Sequence, residues 1–585
     1  MKRLILVLTL IISHFSFTPA GAQPSWTKKA SKAVFTLKTF DDEGKLVGTA
    51  TGFYVGTGGE AVSCFAPFKG AARALIVDAS GKERAVTHIL GANDTYDVVR
   101  FRVDAGKTQA LDVAPAMAPA DTRVWLLPWR ETKNPTQGTI SKTETVQQEY
   151  GYYTVAIILP ESAAAATPGA SASGTAGAPL MNDEGLVVGI MQQHYETDSA
   201  GVAYAVSARF ADSLRISGLS INDPALRATK IKKDLPDDIA QAQLTLFMAE
   251  AQMDSAAYAT LIDDFIAKFP KSHEGYVTRA QLAANGNHYE QADRDIAEAL
   301  RLCEEKGKAA TTTDASASGA DDVHYSYSRL IYQKVLNRPE PAYAPWTLDR
   351  ALSEAQAAYA ANPQPIYRQH EGIVMFAQKR YDEAYAAYEE LFNSPLRSAE
   401  LFYEASRCKV LAGDTTAQLA LLDSCVALFS KPYLKEAAPY LLASAQGRMA
   451  AGRDREAVNL LNEYEQLMAA QVNDRFYYLR FQAEVGGRLF QQALNDIDKA
   501  ISMAPKSDLY YAEKASLQLR VGLYDEAEQT AREGIATAPD HSDGYLFLGL
   551  AQCLKGEKEE GLKNLQKAQA LGDPQAEGLI EKYAK

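Results

Sequence analysis

The C-terminal part of this 585-residue chain repeats itself every 34 residues. Aromatic, small and apolar side chains recur at that spacing, in the sets Tyr477, Tyr511 and Tyr545; Ala493, Ala527 and Gly561; Ile497, Ala531 and Leu565; and Ala500, Gly534 and Ala568. Small residues let two antiparallel helices approach closely, and Pro505 and Pro539 close two units because proline cannot continue a helical hydrogen-bond ladder. The pattern predicts helix pairs that pack mainly on their neighbours.

This unit resembles the tetratricopeptide repeat (TPR), most strongly over residues 474–573. Looser copies of the second helix precede it: "YEQADRDIAEAL" (289–300), "YDEAYAAYEELF" (381–392) and "DREAVNLLNEY" (454–464). The resemblance implies one all-α solenoid over residues 238–585, with about seven to nine helix pairs. The low-complexity stretch near residues 304–322 is expected to be a flexible insertion.

The TPR resemblance also implies a concave face, lined by the first helix of each pair, that holds a segment of a protein partner. In the last three repeats the residues expected on that face are Tyr478, Gln482, Ala512, Ser516, Leu546 and Leu550. Packing of the next helix layer is the alternative. The leucine and alanine positions leave both open, whereas Tyr478 and Gln482 favour the groove.

The N-terminus has the pattern of a secretory signal peptide over residues 1–22. Lys2 and Arg3 precede an apolar run at residues 4–12, and Ala20-Gly21-Ala22 matches an A-x-A cleavage site, so we expect cleavage after Ala22. The mature protein is then expected to be soluble in the periplasm or cell envelope, without a transmembrane segment. The formal net charge of -13 argues against nucleic-acid binding, which normally uses a basic surface.

Five widely spaced cysteines give no disulfide framework and no metal-binding spacing. Cys408 and Cys425 could face each other across a helix hairpin, but free thiols in helix packing are the favoured interpretation. We expect no metal and no cofactor.

Residues 24–212 have a different pattern, with short runs rich in Val, Ile, Tyr and Phe that turn residues break about every ten positions. Six segments in this region, taken in order, resemble trypsin-like serine peptidases of the HtrA type: "TGFYVGTGGEAVSCFAPF", "TYDVVRFRVD", "VWLLPW", "GTISK", "GTAGAPLMNDEGLVVGI" and "GVAYAVSARF". The resemblance implies a double β-barrel, which a linker at residues 213–237 would join to the repeats.

Carried over residue by residue, the family's catalytic Asp matches Asp97, its general-base His falls at Ala66, and its nucleophilic Ser falls at Ala176. Acyl transfer needs a hydroxyl and an adjacent base, and a methyl group supplies neither. The resemblance places the oxyanion-hole amides at Gly174 and Ala176, where a backbone pocket would need no side chain. Without its His, Asp97 is expected to accept hydrogen bonds from nearby backbone amides.

A displaced nucleophile is the alternative. The candidate nucleophiles are Ser171, Ser173, Thr175 and Cys64. The histidines of this region that could act as the base are His88 and His194. The loop "ESAAAATPGASASGTAG" is rich in Ala, Gly and Ser, and this composition indicates that its Ser and Thr residues serve loop flexibility rather than catalysis.

The sequence therefore predicts a multidomain protein, an all-β trypsin-like double barrel followed by an all-α TPR solenoid. The predicted function is an exported, non-catalytic protein-binding scaffold or adaptor. Two alternatives remain: an active serine peptidase with a non-standard constellation, whose repeats recruit protein substrates, and a β half that only caps the solenoid.

Overall fold

The computed structural model describes residues 24–127, 135–146, 150–157, 175–193, 202–309, 319–337 and 343–584. The chain divides into two compact units between Leu282 and Ala283. The boundary therefore lies about one and a half helix pairs beyond the predicted start of the repeats at residue 238. The predicted signal peptide at residues 1–22, with its predicted cleavage site, lies outside the described residues.

The first unit begins with a short helix, α1 (Thr27–Ala30), and a closed six-stranded barrel that runs in the order β1-β2-β3-β6-β5-β4. Its strands are β1 (Val34–Phe40), β2 (Leu46–Tyr54), β3 (Glu60–Ser63), β4 (Arg73–Val77), β5 (Glu83–Asn93) and β6 (Val98–Val103). Neighbouring strands are antiparallel, and inward positions such as Phe35, Leu37 and Ile76 are fully buried. This alternation agrees with the predicted strand pattern.

A second closed six-stranded barrel follows, in the order β10-β11-β12-β9-β8-β7. Its strands are β7 (Arg123–Leu126), β8 (Thr136–Val146), β9 (Tyr150–Ile157), β10 (Pro179–Asn182), β11 (Val187–Met191) and β12 (Val202–Ser207). The two barrels share one buried apolar cluster, to which the first contributes Phe53 and Val62 and the second Met181 and Ile190. The double barrel predicted from the sequence is confirmed.

Residues 213–237, predicted as a linker, pack on the first barrel. They follow α2 (Phe210–Ser213) and include α3 (Pro224–Arg227). The amide of Lys230 donates to the carbonyl of Ala71 (2.8 Å), and Ile231 is 3% exposed within the barrel's apolar cluster. The apolar side chains of this stretch, which have no helical or strand period, therefore anchor it.

The remaining described residues contain nineteen helices and no strand. They are α4 (Ile239–Glu250), α5 (Ser255–Lys268), α6 (Glu274–Asn285), α7 (Tyr289–Ala309), α8 (Ala320–Leu336), α9 (Leu348–Ala361), α10 (Pro365–Ala377), α11 (Tyr381–Glu389), α12 (Ala399–Leu411), α13 (Thr415–Ala427), α14 (Ala438–Ala450), α15 (Asp454–Met468), α16 (Asp474–Gly486), α17 (Phe490–Met503), α18 (Asp508–Arg520), α19 (Tyr524–Thr537), α20 (Ser542–Lys555), α21 (Lys558–Ala570) and α22 (Ala576–Tyr583).

The small residues of the 34-residue period lie where helices touch. Ala493 and Ala527 are fully buried, and a Cβ added to Gly561 would come within 2.8 Å of the carbonyl oxygen of Gly549 on the facing helix. Of the predicted flexible insertion, residues 304–309 belong to α7 and 320–322 to α8, because the charged sequence before residue 310 continues the helix. Residues 310–318 lie outside the described part.

All five cysteines are buried and free, which agrees with their predicted role in packing. Among the described helices, none combines the length and the apolar character that a membrane crossing requires.

Candidate functional site

Asp97 lies in the turn before β6 and binds the backbone beside Ala66. Its Oδ1 accepts a hydrogen bond from the amide of Ala66 (2.6 Å), and its carbonyl accepts one from the amide of Phe65 (3.2 Å). Burial raises the pKa of Asp97, and the two amides oppose that rise. The residue has a φ of 49°, a left-handed conformation that Asp tolerates better than most residues. The expectation that Asp97 accepts hydrogen bonds from nearby backbone amides is confirmed, with one bond at its carboxylate and one at its carbonyl.

The turn that carries Ala176 is held between the barrels by backbone hydrogen bonds. The carbonyl of Ala176 accepts from the amide of Thr51 (2.9 Å), and the amide of Gly177 donates to the carbonyl of Met191 (2.8 Å). Gly177 has a φ of +78°, and a Cβ at this position would lie 2.1 Å from the carbonyl oxygen of Thr51. The turn therefore requires glycine after Ala176.

The side chains around Ala176 offer no free nucleophile among the described residues. Ala176 is 6% exposed and belongs to the same buried cluster as Cys64 and Phe65. The Ser63 hydroxyl donates to the carbonyl of Thr51 (2.7 Å). Burial, together with the charge of Asp97, raises the pKa of the Cys64 thiol, so that thiol stays protonated and is a poor nucleophile.

His88, one of the two candidate bases, lies on β5 in register with Arg102. Burial lowers its pKa, and the charged groups that act on it are Asp234, Lys232, Asp264 and Arg102. The charges that act on Asp97 are different ones, Lys69 and Asp94. The two residues therefore have separate electrostatic surroundings.

Several predicted site residues lie outside the described part of the chain: Gly174, Ser171, Ser173 and His194. Thr175 is described, and its carbonyl accepts a hydrogen bond from the amide of Ala178 (3.0 Å). Among the described residues, no three His, Cys, Asp or Glu side chains are grouped so that they could hold a metal ion.

The predicted groove residues have unequal surroundings. Gln482 is exposed, and Tyr478 is half-buried with its hydroxyl donating to Glu513 (3.1 Å). Ala512 and Ser516 are half-buried, and Ala512 lines a cleft. Leu546 is the clear departure, because it is 3% exposed in a cluster with the terminal helix α22, and Leu550 packs against a neighbouring apolar cluster. Both leucines therefore pack between helices, which is the alternative to a place in the groove.

The second compact unit, residues 283–585, is called the helical unit here. It contains a buried ionic cluster that was not predicted from the sequence. Arg480 on α16 binds Asp496 of α17 (Nε to Oδ2, 2.5 Å) and Glu465 of α15 (Nη1 to Oε2, 2.6 Å). Glu484, one turn further along α16, has its Oε1 3.9 Å from Arg480 Nε, and among the described residues its buried Oε2 has no hydrogen-bond partner. Burial, and then the charge of Asp496, raise the pKa of Glu484 to about 7.

A signal for this cluster exists in the sequence. Glu484, Gln518 and Gln552 recur at 34-residue spacing, and all three are buried polar residues. A polar residue that recurs in phase with the small packing residues therefore points to the interior.

The comparisons with known proteins agree with this geometry. Residues 50–190 match the sequence profile of the trypsin-like peptidase domain. The first unit contains a trypsin-like peptidase domain. The small glutamine-rich tetratricopeptide repeat-containing protein 2 of Saccharomyces cerevisiae is 30% identical to this chain over 95 residues, which is 16% of this chain. The chain spans 28% of the length of that relative.

Solved structures similar to this chain include bacterial serine proteases. The active form of the Rv3671c protease from Mycobacterium tuberculosis is 15% identical, with a TM-score of 0.27, and the match covers 36% of this chain and 86% of that one. The serine endoprotease from Yersinia pestis is 16% identical, with a TM-score of 0.27, and covers 33% of this chain and 66% of that one.

Proposed function

We propose that this protein is an exported, non-catalytic scaffold or adaptor that binds other proteins through its helical repeats. The observation that carries the proposal is the pair Ala66 and Ala176 in a backbone frame that is otherwise kept. The frame includes the Asp97 carboxylate on the amide of Ala66 and the glycine-dependent turn at Gly177. Export is proposed on the signal-peptide pattern of residues 1–22.

The loss of chemistry follows from what the two positions must supply. A serine peptidase needs a hydroxyl at the turn and an imidazole that takes its proton. Here the turn carries a methyl group, and the nearby Ser63 hydroxyl has its proton committed to a backbone carbonyl. The Asp97 carboxylate, which would orient an imidazole, accepts a hydrogen bond from the amide of Ala66, and the side chain at position 66 is a methyl group.

The helical unit supports the binding role. Stacked helix pairs of this kind present an extended surface of side chains, and such surfaces are used for protein segments. The yeast relative is named as a protein that contains tetratricopeptide repeats, the repeat class that the sequence of this chain resembles. The partner proposed here is therefore a protein or peptide, and the surface is the helical one.

A fluorophosphonate probe tests the catalytic part of the proposal. We expect no labelling of the purified full-length protein, and an active trypsin-like enzyme at the same concentration serves as the positive control. Labelling that disappears when one of Ser171, Ser173 or Thr175 is changed to Ala would overturn the proposal in favour of an active peptidase.

Pull-down from envelope extract tests the binding part. The full-length protein is compared with a chain that lacks residues 24–212. Equal capture by both proteins would assign a capping role to residues 24–212, the β unit. If the full-length protein captures no partner, the scaffold role is contradicted.

A further inference from the structure

One side of α8 carries an arginine between two tyrosines. Tyr325, Arg329 and Tyr332 are spaced i, i+4 and i+7, so they lie along the same side of the helix. The Arg329 side chain is exposed, and its guanidinium lies over the Tyr325 ring, 5.5 Å from the ring centroid. In the part of the chain that the structure describes, Arg329 forms no ion pair. Its charge is therefore open to a ligand.

The same surface continues onto α10 and α12. The His370 ring on α10 has edge-to-face contacts with Tyr325 (5.4 Å) and with Tyr332 (5.8 Å), measured between ring centroids. Burial raises the pKa of Tyr332, and the charges that act on this tyrosine are Glu404 and Arg407 of α12. Side chains of the three helices therefore share one region of the surface.

Arg407 contributes a second exposed guanidinium. It lies over the ring of Phe376 on α10, 4.6 Å from the centroid, and 44% of the Arg407 side chain is exposed. Its Nη1 is 3.2 and 3.0 Å from the two carboxylate oxygens of Glu404, whereas its Nε and Nη2 have no hydrogen-bond partner among the described residues. A guanidinium stacked on a ring keeps its in-plane N–H groups available, and their geometry matches a carboxylate.

Apolar side chains border the two arginines. Val410, three residues after Arg407 on α12, is 42% exposed, and Ile373 on α10 is half-buried. The surface therefore combines positive charge with apolar area. We call it the Arg-aromatic face, and it consists of Tyr325, Arg329, Tyr332, Phe376 and Arg407.

We propose that the Arg-aromatic face binds an acidic side chain, Asp or Glu, that lies beside apolar residues in a segment of a protein partner. The carboxylate would accept hydrogen bonds from Arg407 and be attracted by Arg329, while the apolar neighbours would pack on Phe376 and Val410. Charge complementarity selects this occupant, because the chain as a whole has a formal net charge of -13 and this face presents two exposed guanidinium groups. The inference rests on the proposed protein-binding function and adds the chemistry that the partner must present.

The test uses the full-length protein and three fluorescently labelled peptides. The first is amidated at its C-terminus and has the sequence Ser-Leu-Glu-Leu-Ser, the second has Gln in place of Glu, and the third is the Gln peptide with a free C-terminal carboxylate. By fluorescence anisotropy we expect the Glu peptide to bind about 3- to 10-fold more tightly than either Gln peptide, because only its side chain is charged. Raising NaCl from about 50 to about 500 mM should weaken binding of the Glu peptide alone.

Equal binding of the Glu peptide and the amidated Gln peptide would overturn the proposal. Tightest binding of the peptide with the free C-terminus would also overturn it, because the face would then recognise a chain end rather than an acidic side chain.

Two variants with a matched control locate the site. Arg329→Gln and Arg407→Gln each remove one charge, and we expect each to reduce the affinity for the Glu peptide by about 3-fold or more. Arg301→Gln is the control and should bind like the wild type. Arg301, on α7, is also exposed (49%) and pairs with a glutamate three residues earlier on its own helix, Glu298. Circular dichroism melts confirm that each variant is folded.

The outcomes separate this inference from the function it rests on. If Arg329→Gln and Arg407→Gln bind the Glu peptide as Arg301→Gln does, the inference is wrong, while protein capture by the full-length protein would still stand. If the full-length protein captures no protein at all, the proposed function itself fails. Sedimentation of the full-length protein adds one check: a dimer that Arg407→Gln dissociates and Arg301→Gln does not would make a second copy the occupant and overturn the proposal of a different partner.

Discussion

The two units keep their architecture in opposite ways. In the β unit the backbone around Ala66 and Ala176 is specified in detail, with Gly177 required by a close approach and Asp97 bound to the amide of Ala66, while the side chains at these two positions are methyl groups. In the helical unit the packing residues recur every 34 positions, while the residues between them vary from aromatic to small. One unit thus fixes its backbone through single close contacts, and the other fixes its packing through a repeated spacing.

The largest effect is expected at the buried ionic cluster of the helical unit. Arg480→Ala removes the cation that faces Asp496 and Glu465, and leaves buried carboxylates uncompensated, so we expect a loss of about 3–5 kcal/mol in local stability. Hydrogen exchange of α16 and α17, followed by mass spectrometry, measures it. Arg520→Ala, at an exposed position, is the control and should change little. Equal effects would show that the cluster does not stabilise the repeat.

The next effect tests the turn of the β unit. Gly177→Ala places a Cβ against the carbonyl of Thr51 at a positive φ, and we expect a loss of about 3 kcal/mol. Gly81→Ala is the matched control, because its φ is +83° but nothing lies within 4 Å of the added atom, so about 1 kcal/mol is expected. Urea unfolding followed by tryptophan fluorescence compares the two. A smaller loss for Gly177→Ala than for Gly81→Ala would contradict the close approach.

A pH dependence is expected in the helical unit at Glu484. The folded-state pKa of Glu484 is raised to about 7, so folding favours the protonated carboxyl. Stability from this group is therefore complete below the unfolded pKa of about 4.5 and falls as pH rises to 7, by roughly 2–3 kcal/mol.

The charged neighbours of Glu484 are Arg480 on its own helix, Asp496 and Lys499 on α17, and Glu465 on α15. Glu484→Gln should remove the fall in α16 protection between pH 4.5 and 8, as hydrogen exchange corrected for intrinsic rates would record. The exposed Glu526→Gln should retain it. A fall of the same size in Glu484→Gln would assign the pH dependence to another group.

The smallest effect concerns Cys64. Cys64→Ala removes one buried sulfur from the apolar cluster around Ala176, and we expect a loss of about 1 kcal/mol in urea unfolding. Native wild-type protein should show no fast reaction with a thiol reagent, since all five cysteines are buried. Rapid modification of one thiol that Cys64→Ala abolishes would reopen the alternative of a displaced nucleophile.

The sequence predicted those parts of the molecule that have a period or a motif. The helix pairs followed from residues at 34-residue spacing, and the double barrel from six ordered segments. Residues 213–237 carry neither signal, because anchors such as Ile231 and Leu226 are held by the shape of the barrel surface rather than by a repeating face. The linker prediction could not include that surface.

The candidate site residues also fall into two groups, those whose contacts the sequence predicts and those whose contacts only the structure shows. The bond between Asp97 and the amide of Ala66 was predictable because a buried carboxylate needs donors. The burial of Leu546 was not, because it depends on the terminal helix α22, which lies beyond the 34-residue pattern.

The turn at Ala176 has a mechanical consequence. With alanine there, the carbonyl of the turn binds Thr51 of the first barrel while the next amide binds Met191 of the second. The turn therefore joins the two barrels, and any substitution that displaced it would be expected to weaken the joint between them.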